Sequence, residues 1–170
     1  SLDGKIATRT GDSMWIPSQE SRGRAQQMRR ESDAVMVGVN TVLADDPQLT
    51  ARDGAGVPLQ RQPLRVIADS RCRTPPVARV FQQPGNTLIA TCLDAPQERV
   101  SRLQAAEAEV LQMPPLPSGQ VDLEALLAEL GRRGVVNLLV EGGGTLLGSL
   151  FDLKLVDKVY AFIAPIIIGG

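Results

Sequence analysis

Three consecutive glycines follow a glutamate at the end of an apolar run, in the sequence VEGGGTLLGSL. A glycine turn between a strand and a helix exposes backbone N–H groups and the positive end of the helix dipole, so it can bind an anion. Gly142, Gly143 and Gly144 suit this role, and Thr145 adds a hydroxyl. The spacing is not G-x-G-x-x-G, and no Gly-Lys-Ser/Thr follows. A tight turn that packs a helix closely on a sheet explains the pattern equally well.

A hydroxyl and two guanidinium groups follow another apolar run, LRVIAD. Ser70, Arg71 and Arg73 would then lie at the carboxyl end of a strand, where open α/β sheets bind ligands. Because Arg matches phosphate geometry, these side chains could hold the 2′-phosphate that distinguishes NADP from NAD. Exposed arginines after a strand are also commonly solvated. Taken with the glycine turn, however, they predict one extended phosphorylated ligand.

The remaining charged residues suggest a second ligand. Arg29 and Arg52 could clamp a phosphate on a substrate, since guanidinium groups bind phosphate through paired N–H donors. Glu141 stands where the apolar run meets the glycines and could form an ion pair or accept hydrogen bonds from a polar ring. The alternative for Glu141 is a structural carboxylate that accepts from nearby backbone N–H groups.

The composition excludes several classes of function. The chain contains no histidine, which removes Ser-His-Asp and Cys-His catalysis and argues against a zinc site. The net charge of −1 argues against a nucleic-acid surface. No apolar run approaches the roughly 20 residues that span a bilayer. Cys72 and Cys92 are not spaced as a CxxC pair, so we expect unreactive thiols in a reducing cytoplasm.

The elements that must position these residues alternate between strands and helices. Apolar runs predict strands at residues 34–39, 64–69, 87–92, 109–113, 135–141 and 157–168. Helical spacing and start signals predict helices at residues 16–32, 95–106, 122–134 and 145–153. Asp122 can cap the third helix, in which leucines recur at helical spacing. This alternation predicts one α/β domain over residues 1–170, with a mostly parallel central sheet and helices on both faces.

One connection has no convincing helix of its own. It runs from Asn40 to Pro63 and contains Asp45, Asp46 and Arg52. Long loops without secondary structure inside a compact domain are usually functional or disordered. The charged residues make this one a candidate wall of the site, and surface decoration is the alternative.

Several motifs in combination resemble the reductase domain of the bifunctional riboflavin-biosynthesis deaminase/reductase. They are SLDGKIAT, GDSMWI, MVGVNTVLADDPQLTAR, VIADSR and LLVEGGGTLLGSLF followed by LVDKVYAFIAPIIIGG. The resemblance implies a dihydrofolate-reductase-like α/β fold and NADPH as cofactor. The implied reaction reduces 5-amino-6-(5-phosphoribosylamino)uracil, with hydride delivered to the sugar C1 and the ribitylamino compound as product. Such a cofactor suits a chain without histidine, because the cofactor carries the difficult chemistry.

The resemblance also implies roles for individual residues. The implied substrate contacts are Ser13, Arg29, Leu49, Arg52 and Glu141, with the arginines at the ribose 5-phosphate and Glu141 on the pyrimidine side. The implied NADP contacts are Trp15, Thr41, Asp45, Ser70 and the turn and helix start Gly143, Gly144, Thr145, Leu146, Leu147, Gly148 and Ser149. The resemblance does not assign a catalytic acid: Asp45 or Glu141 could serve, as could water or the substrate's own groups. No metal ligand is expected.

The chain also departs from the family pattern. It has no H-x-E with P-C-x-x-C, so we expect no deaminase activity from it, although a fused deaminase domain belongs to the bifunctional relatives. It lacks the strand that the family usually has before SLDG and those after IIIGG, which would expose sheet edges. The family forms dimers, so a homodimer is expected. Three alternatives stay open: a pteridine or pyrimidine reductase on the same fold, a non-catalytic NADP-binding module, and a plain structural α/β domain without cofactor affinity.

Overall fold

The fold is built on a five-stranded sheet in which every pairing is parallel. The computed structural model describes residues 1–5, 8–9 and 18–169. The strands are β1 (Ala34–Gly38), β2 (Leu64–Ala68), β3 (Thr87–Cys92), β4 (Glu109–Met113) and β5 (Leu138–Gly142). The α-helices are α1 (Gln19–Glu31), α2 (Val39–Asp45), α3 (Gln97–Ala105), α4 (Leu123–Arg132) and α5 (Gly144–Asp152), with a 3₁₀ turn at Arg79–Gln82.

The strand order β4-β3-β2-β1-β5 places the last strand of the chain beside the first. β1 pairs with β2 on one side and with β5 on the other, and Ala34 is aligned with both Leu64 and Leu138. The carboxyl ends of β1, β2 and β5 therefore lie side by side, where ligands bind in open parallel sheets.

Two apolar cores cover the two faces of the sheet, as the alternation of side chains along each strand requires. One core joins Val35, Val37, Ile67 and Ile89 to residues of α2 and α3. The other joins Ala34, Met36, Val66 and Leu88 to residues of α4 and α5. The expected fold, a parallel sheet with helices on both faces, is confirmed.

Helix α4 follows its sequence signals closely. The Asp122 carboxylate accepts a hydrogen bond from the N–H of Ala125 and caps the amino end of the helix. Leu123, Leu126 and Leu130 are buried on one side of the helix. Apolar spacing and a capping residue were therefore sufficient to place this element.

The expectation that residues 40–63 contain no helix is wrong at their beginning. Helix α2 starts directly after β1, which therefore ends at Gly38, and it runs for only 7 residues. Val39 and Val42 are buried in the core, and Asp46 closes the helix in a left-handed conformation, with φ 41°. So short a helix owes its stability to packing rather than to its own propensity, which explains why the sequence signal was weak.

The predicted strand at residues 157–168 is also wrong. No strand is assigned in this segment, and Val159, Phe162, Ile163 and Ile167 are exposed. Its backbone instead meets the first residues of the chain: Leu2 N–H donates to Ile166 O, and the Asp3 carboxylate accepts from Ile168 and Gly169 N–H. An apolar composition suits a buried strand, but it does not specify a neighbouring strand with which to pair. The expected dimer stays a prediction.

Among the described residues, no helix has both the length and the apolar character needed to cross a membrane.

Candidate functional site

A cavity of about 560 Å³ lies at the carboxyl ends of β1, β2 and β5. Of the residues predicted to contact NADP, six line it: Ser70, Gly143, Gly144, Thr145, Leu146 and Ser149. Arg71 and Arg73 also line it. The structure thus brings together the glycine turn and the arginines after β2, two features that lie about 70 positions apart in the sequence.

The glycine turn lies against the start of α2. Gly143 has φ 90° and ψ 103°, a conformation that side chains with a Cβ rarely adopt. A Cβ on Gly143 would lie 3.3 Å from Thr41 Oγ1, whereas a Cβ on Gly144 would meet nothing within 4 Å. Gly143 is therefore required for close packing, as the tight-turn interpretation expects, while the open space at Gly144 leaves the anion site at the amino end of α5 a prediction.

The segment after β2 is held by a buried carboxylate. Asp69 is fully buried and accepts hydrogen bonds from the N–H and hydroxyl of Thr74 at 2.7 and 2.8 Å. Ser70 Oγ accepts from Val121 N–H at 3.1 Å. Arg71 forms an ion pair with Asp94 at 2.9 Å, while Arg73 donates to the neutral Asn40 side chain at 2.8 Å. Because the charge of Arg71 is already paired with Asp94, Arg73 is the better placed of the two to neutralise an added anion.

An ion pair joins α1 to β5, and neither of its residues, Arg29 and Glu141, lines the cavity. Arg29 Nε and Nη2 donate to the two carboxylate oxygens of Glu141, each at 2.5 Å. Only 17% and 18% of the two side chains are exposed, so the pair is largely shielded from water. Arg29 Nη1 also donates to the carbonyl of Thr50 at 3.2 Å. Both carboxylate oxygens of Glu141 are thus accepting from one guanidinium fork.

A β-bulge sets the position of Glu141. In the pairing of β1 with β5, Met36 is aligned with Val140 but Val37 is aligned with Gly142. Glu141 is therefore the extra residue of the bulge. Bulges bend a strand locally and redirect a side chain, and they are common next to binding sites.

Arg52 lies in a different electrostatic environment from Arg29. Among the described residues, its guanidinium donates to four neutral acceptors: Thr50 Oγ1 at 2.9 Å, Gly56 O at 2.7 Å, Gln83 Oε1 at 3.3 Å and Gln48 Oε1. Within the part of the chain that the structure describes, Arg52 forms no ion pair with a carboxylate. Arg30 Nε also donates to the Arg52 carbonyl at 2.7 Å. The positive charge of Arg52 is therefore available to an anion.

The other predicted contacts lie away from the cavity or are buried. Leu49 is 2% exposed and belongs to the core, so only its backbone could meet a substrate. Asp45 is exposed at the last residue of α2, and Thr41 contacts the glycine turn. Leu147 and Gly148 do not line the cavity. Ser13 and Trp15 lie outside the described residues.

Sequence reasoning missed the neutral residues that complete the site. Thr50, Gln48 and Gln83 hold Arg52, and residues 116 to 121 after β4 supply one wall of the cavity. Neutral amides and hydroxyls do not stand out in a sequence as charged residues do, and a Pro/Gly-rich loop contains no residue type that points to a binding site. Only the long connection as a whole indicated that this region could be functional.

The two cysteines are buried and unpaired with each other. Burial raises the pKa of the Cys72 thiol and also that of the Cys92 thiol. A thiol whose pKa is raised forms little of the reactive thiolate, so the expectation of unreactive thiols agrees with the structure.

Comparison with known proteins gives a consistent picture. The RibD C-terminal domain matches residues 1–170. A curated relative from Methanothermobacter thermautotrophicus is 46% identical over 169 residues, which are 99% of this chain and 76% of the relative. That protein is named 2,5-diamino-6-ribosylamino-4(3H)-pyrimidinone 5′-phosphate reductase.

Two solved structures share the fold over most of the chain. Acinetobacter baumannii RibD superposes with a TM-score of 0.80 at 31% identity, covering 100% of this chain and 45% of that one. The second is a Thermotoga maritima diaminohydroxyphosphoribosylaminopyrimidine deaminase/5-amino-6-(5-phosphoribosylamino)uracil reductase. It superposes with a TM-score of 0.66 at 34% identity, covering 89% of this chain and 39% of that one. The chain thus spans less than half the length of these two proteins.

Proposed function

Because the chain belongs to the RibD C-terminal domain family, we propose that it is a reductase of riboflavin biosynthesis that uses NADPH. The proposed substrate is 5-amino-6-(5-phosphoribosylamino)uracil and the proposed product is its ribitylamino counterpart. When bound, the nicotinamide would supply a hydride, which is added at the sugar C1. The observation that carries the proposal is the glycine-lined cavity at the carboxyl ends of β1, β2 and β5. Arg52 does not line this cavity, and no carboxylate among the described residues forms an ion pair with it.

The cavity supports a cofactor with a phosphate backbone. Gly144 leaves open space at the start of α5, where backbone N–H groups and the helix dipole favour negative charge. Ser70 and Arg73 line the same cavity on the side of β2. We assign the pyrophosphate to the glycine turn and the 2′-phosphate to the side of Arg73.

The ion pair with Arg29 suggests a role for Glu141, one of the two candidate acids. Glu141 accepts both N–H groups of the Arg29 fork, which suits an acceptor for pyrimidine N–H groups better than a proton donor. Asp45, the other candidate acid, is exposed and does not line the cavity, so water and the substrate's own groups stay alternatives as the proton source. Arg29 would act on the substrate chiefly by holding Glu141, and Arg52 would bind the 5-phosphate.

Replacing Arg52 with alanine tests the phosphate assignment. We expect the KM for the substrate to rise by about 50-fold with little change in the Kd of NADPH, because a charge-assisted contact contributes about 1.5–3 kcal/mol. Steady-state kinetics and a fluorescence titration measure the two quantities. Arg102→Ala is the control, since Arg102 is exposed and pairs only with Glu98 on α3. An unchanged KM would overturn the assignment of the 5-phosphate to Arg52, whereas a parent chain that binds NADPH without any turnover would favour the non-catalytic module.

Cofactor choice gives a second prediction. The parent chain should bind NADPH more tightly than NADH, and Arg73→Ala should reduce that preference by about tenfold, because a phosphate contact is lost. Titrating the parent chain and Arg73→Ala with NADPH and with NADH gives the ratio of the two dissociation constants for each protein. Arg132→Ala serves as the control, because Arg132 is exposed and pairs with Glu129 on α4. Equal binding of the two cofactors by the parent would remove the basis for the 2′-phosphate assignment.

A second substrate is a specific alternative. The archaeal relative, at 46% identity, is named for 2,5-diamino-6-ribosylamino-4(3H)-pyrimidinone 5′-phosphate. The two compounds differ at C2 of the pyrimidine, which carries an amino group in one and an oxygen in the other. Comparing kcat/KM for both compounds with the same preparation decides between them.

The Thermotoga relative also supports the proposal that the whole protein carries a deaminase domain.

A further inference from the structure

A single side-chain amide fixes the segment that carries Arg52. Gln62 lies in the connection before β2, and its Oε1 accepts from Ala51 N–H at 2.9 Å. Its Nε2 donates to Ala51 O at 2.9 Å and to Leu59 O at 2.6 Å. The amide therefore pairs with both backbone groups of Ala51, as a neighbouring strand would.

Ala51 lies between Thr50, which accepts hydrogen bonds from both arginines, and Arg52 itself. Thr50 accepts from Arg29 through its carbonyl and from Arg52 through its hydroxyl, and Arg52 follows Ala51 directly. Thr50 and Ala51 are both 0% exposed. Gln62 itself is half-buried, but the Ala51 N–H that it accepts from belongs to a fully buried residue, so losing the amide would leave that N–H without its acceptor.

The aliphatic part of the Gln62 side chain packs against the segment that carries Gln83, which also contacts Arg52. Arg65 is 1% exposed, and its guanidinium donates to the carbonyls of Gln83, Pro84 and Gly85. The Gln83 side chain in turn accepts from Arg52 Nη2 at 3.3 Å. A Cβ on Gly85 would lie only 2.7 Å from Gln62 Cβ. Gln62 is thus packed between the two segments whose side chains surround the Arg52 guanidinium.

We propose that Gln62 is a positioning residue for Arg52, and that it sets the affinity for the phosphate of the substrate without contacting it. The proposal rests on the proposed function only in assigning the phosphate to Arg52. A guanidinium binds phosphate well only when its planar fork is held in the right orientation. Its contacts to Thr50 and Gln83 depend on the two segments that Gln62 joins.

The test is a double-mutant cycle with Gln62→Leu, Arg52→Ala and the double variant. Leucine approximates the volume of glutamine but makes no hydrogen bond. We expect Gln62→Leu to raise the substrate KM by about tenfold, with kcat and the NADPH Kd changed by less than about twofold, because buried hydrogen bonds are lost. In the Arg52→Ala background, the same change should have almost no further effect on KM.

The control is Gln60→Leu, an exposed neighbour that should change none of these quantities. If Gln62→Leu fails to bind NADPH, Gln62→Asn replaces it in the cycle, because a shorter amide cannot reach both Ala51 groups. A KM that is unchanged, or that rises equally in the Arg52→Ala background, overturns the positioning role. A normal KM for Arg52→Ala alone overturns the phosphate assignment itself, so the two failures are distinguishable.

Discussion

Arg29→Ala is expected to lower kcat/KM by about 100-fold and the free energy of unfolding by about 2–3 kcal/mol. The variant leaves the Glu141 carboxylate without its guanidinium, although only 18% of that side chain is exposed. Removing one partner of a buried ion pair lowers the free energy of unfolding by several kcal/mol. Because this pair is partly exposed, we expect a loss near the lower end of that range. A loss of 2.7 kcal/mol of transition-state stabilisation corresponds to about 100-fold in rate. Chemical denaturation and steady-state kinetics measure the two effects.

One double variant separates the effect on stability from the effect on function. Arg29→Met combined with Glu141→Leu removes both charges, and replacing a buried ion pair by apolar residues is often neutral for stability. We expect this double variant to unfold like the parent while its kcat/KM stays low. Recovery of activity together with stability would mean that the pair serves the fold alone.

Gly143→Ala is expected to weaken NADPH binding by about 30-fold. The backbone at this position has φ 90°, and the added Cβ would lie 3.3 Å from Thr41 Oγ1. Strain of this kind costs about 1–3 kcal/mol, and the turn relieves it by moving the backbone N–H groups at the start of α5. Because about 2 kcal/mol corresponds to about 30-fold in affinity, the loss should be evident in a cofactor titration.

Gly131→Ala is the matched control. Gly131 lies inside α4, where a Cβ would meet nothing within 4 Å. This substitution should stabilise the chain by about 0.5–1 kcal/mol, since alanine favours a helix over glycine, and leave NADPH binding unchanged. Parent-like cofactor affinity for Gly143→Ala would show that the turn is not part of the cofactor site.

Elements with a strong local signal were predictable from the sequence. Strand β3 and strand β4 have the predicted bounds, and α4 begins after the predicted cap at Asp122. Each has either an unbroken apolar run or a buried helical side with a capping residue. Helix α2 was missed because its stability comes from the core beneath it, and the segment 157–168 was misjudged because composition does not supply a pairing partner.

The charged residues and glycines of the candidate site could be predicted from the sequence, but their arrangement in space could not. The glycines and Arg73 were placed at one cavity by a general rule for parallel sheets, without any knowledge of distances. The sequence did not reveal that Arg29 binds Glu141, because their separation of 112 positions leaves no local pattern. Nor did it reveal the bulge at Glu141, which depends on how β5 aligns with β1.

The pairing of β1 with β5 has a consequence for how the protein is made. Synthesis proceeds from the amino end, so β1 to β4 leave the ribosome before β5, the glycine turn and Glu141 exist. During that interval one edge of β1 has no neighbour, and Arg29 lacks its carboxylate. Unpaired edges on nascent chains favour aggregation, and contacts between distant residues form slowly. Among the described strands, the part of the sheet that carries the candidate site is therefore completed last, and a chain interrupted before residue 138 carries β1 to β4 but not the glycine turn.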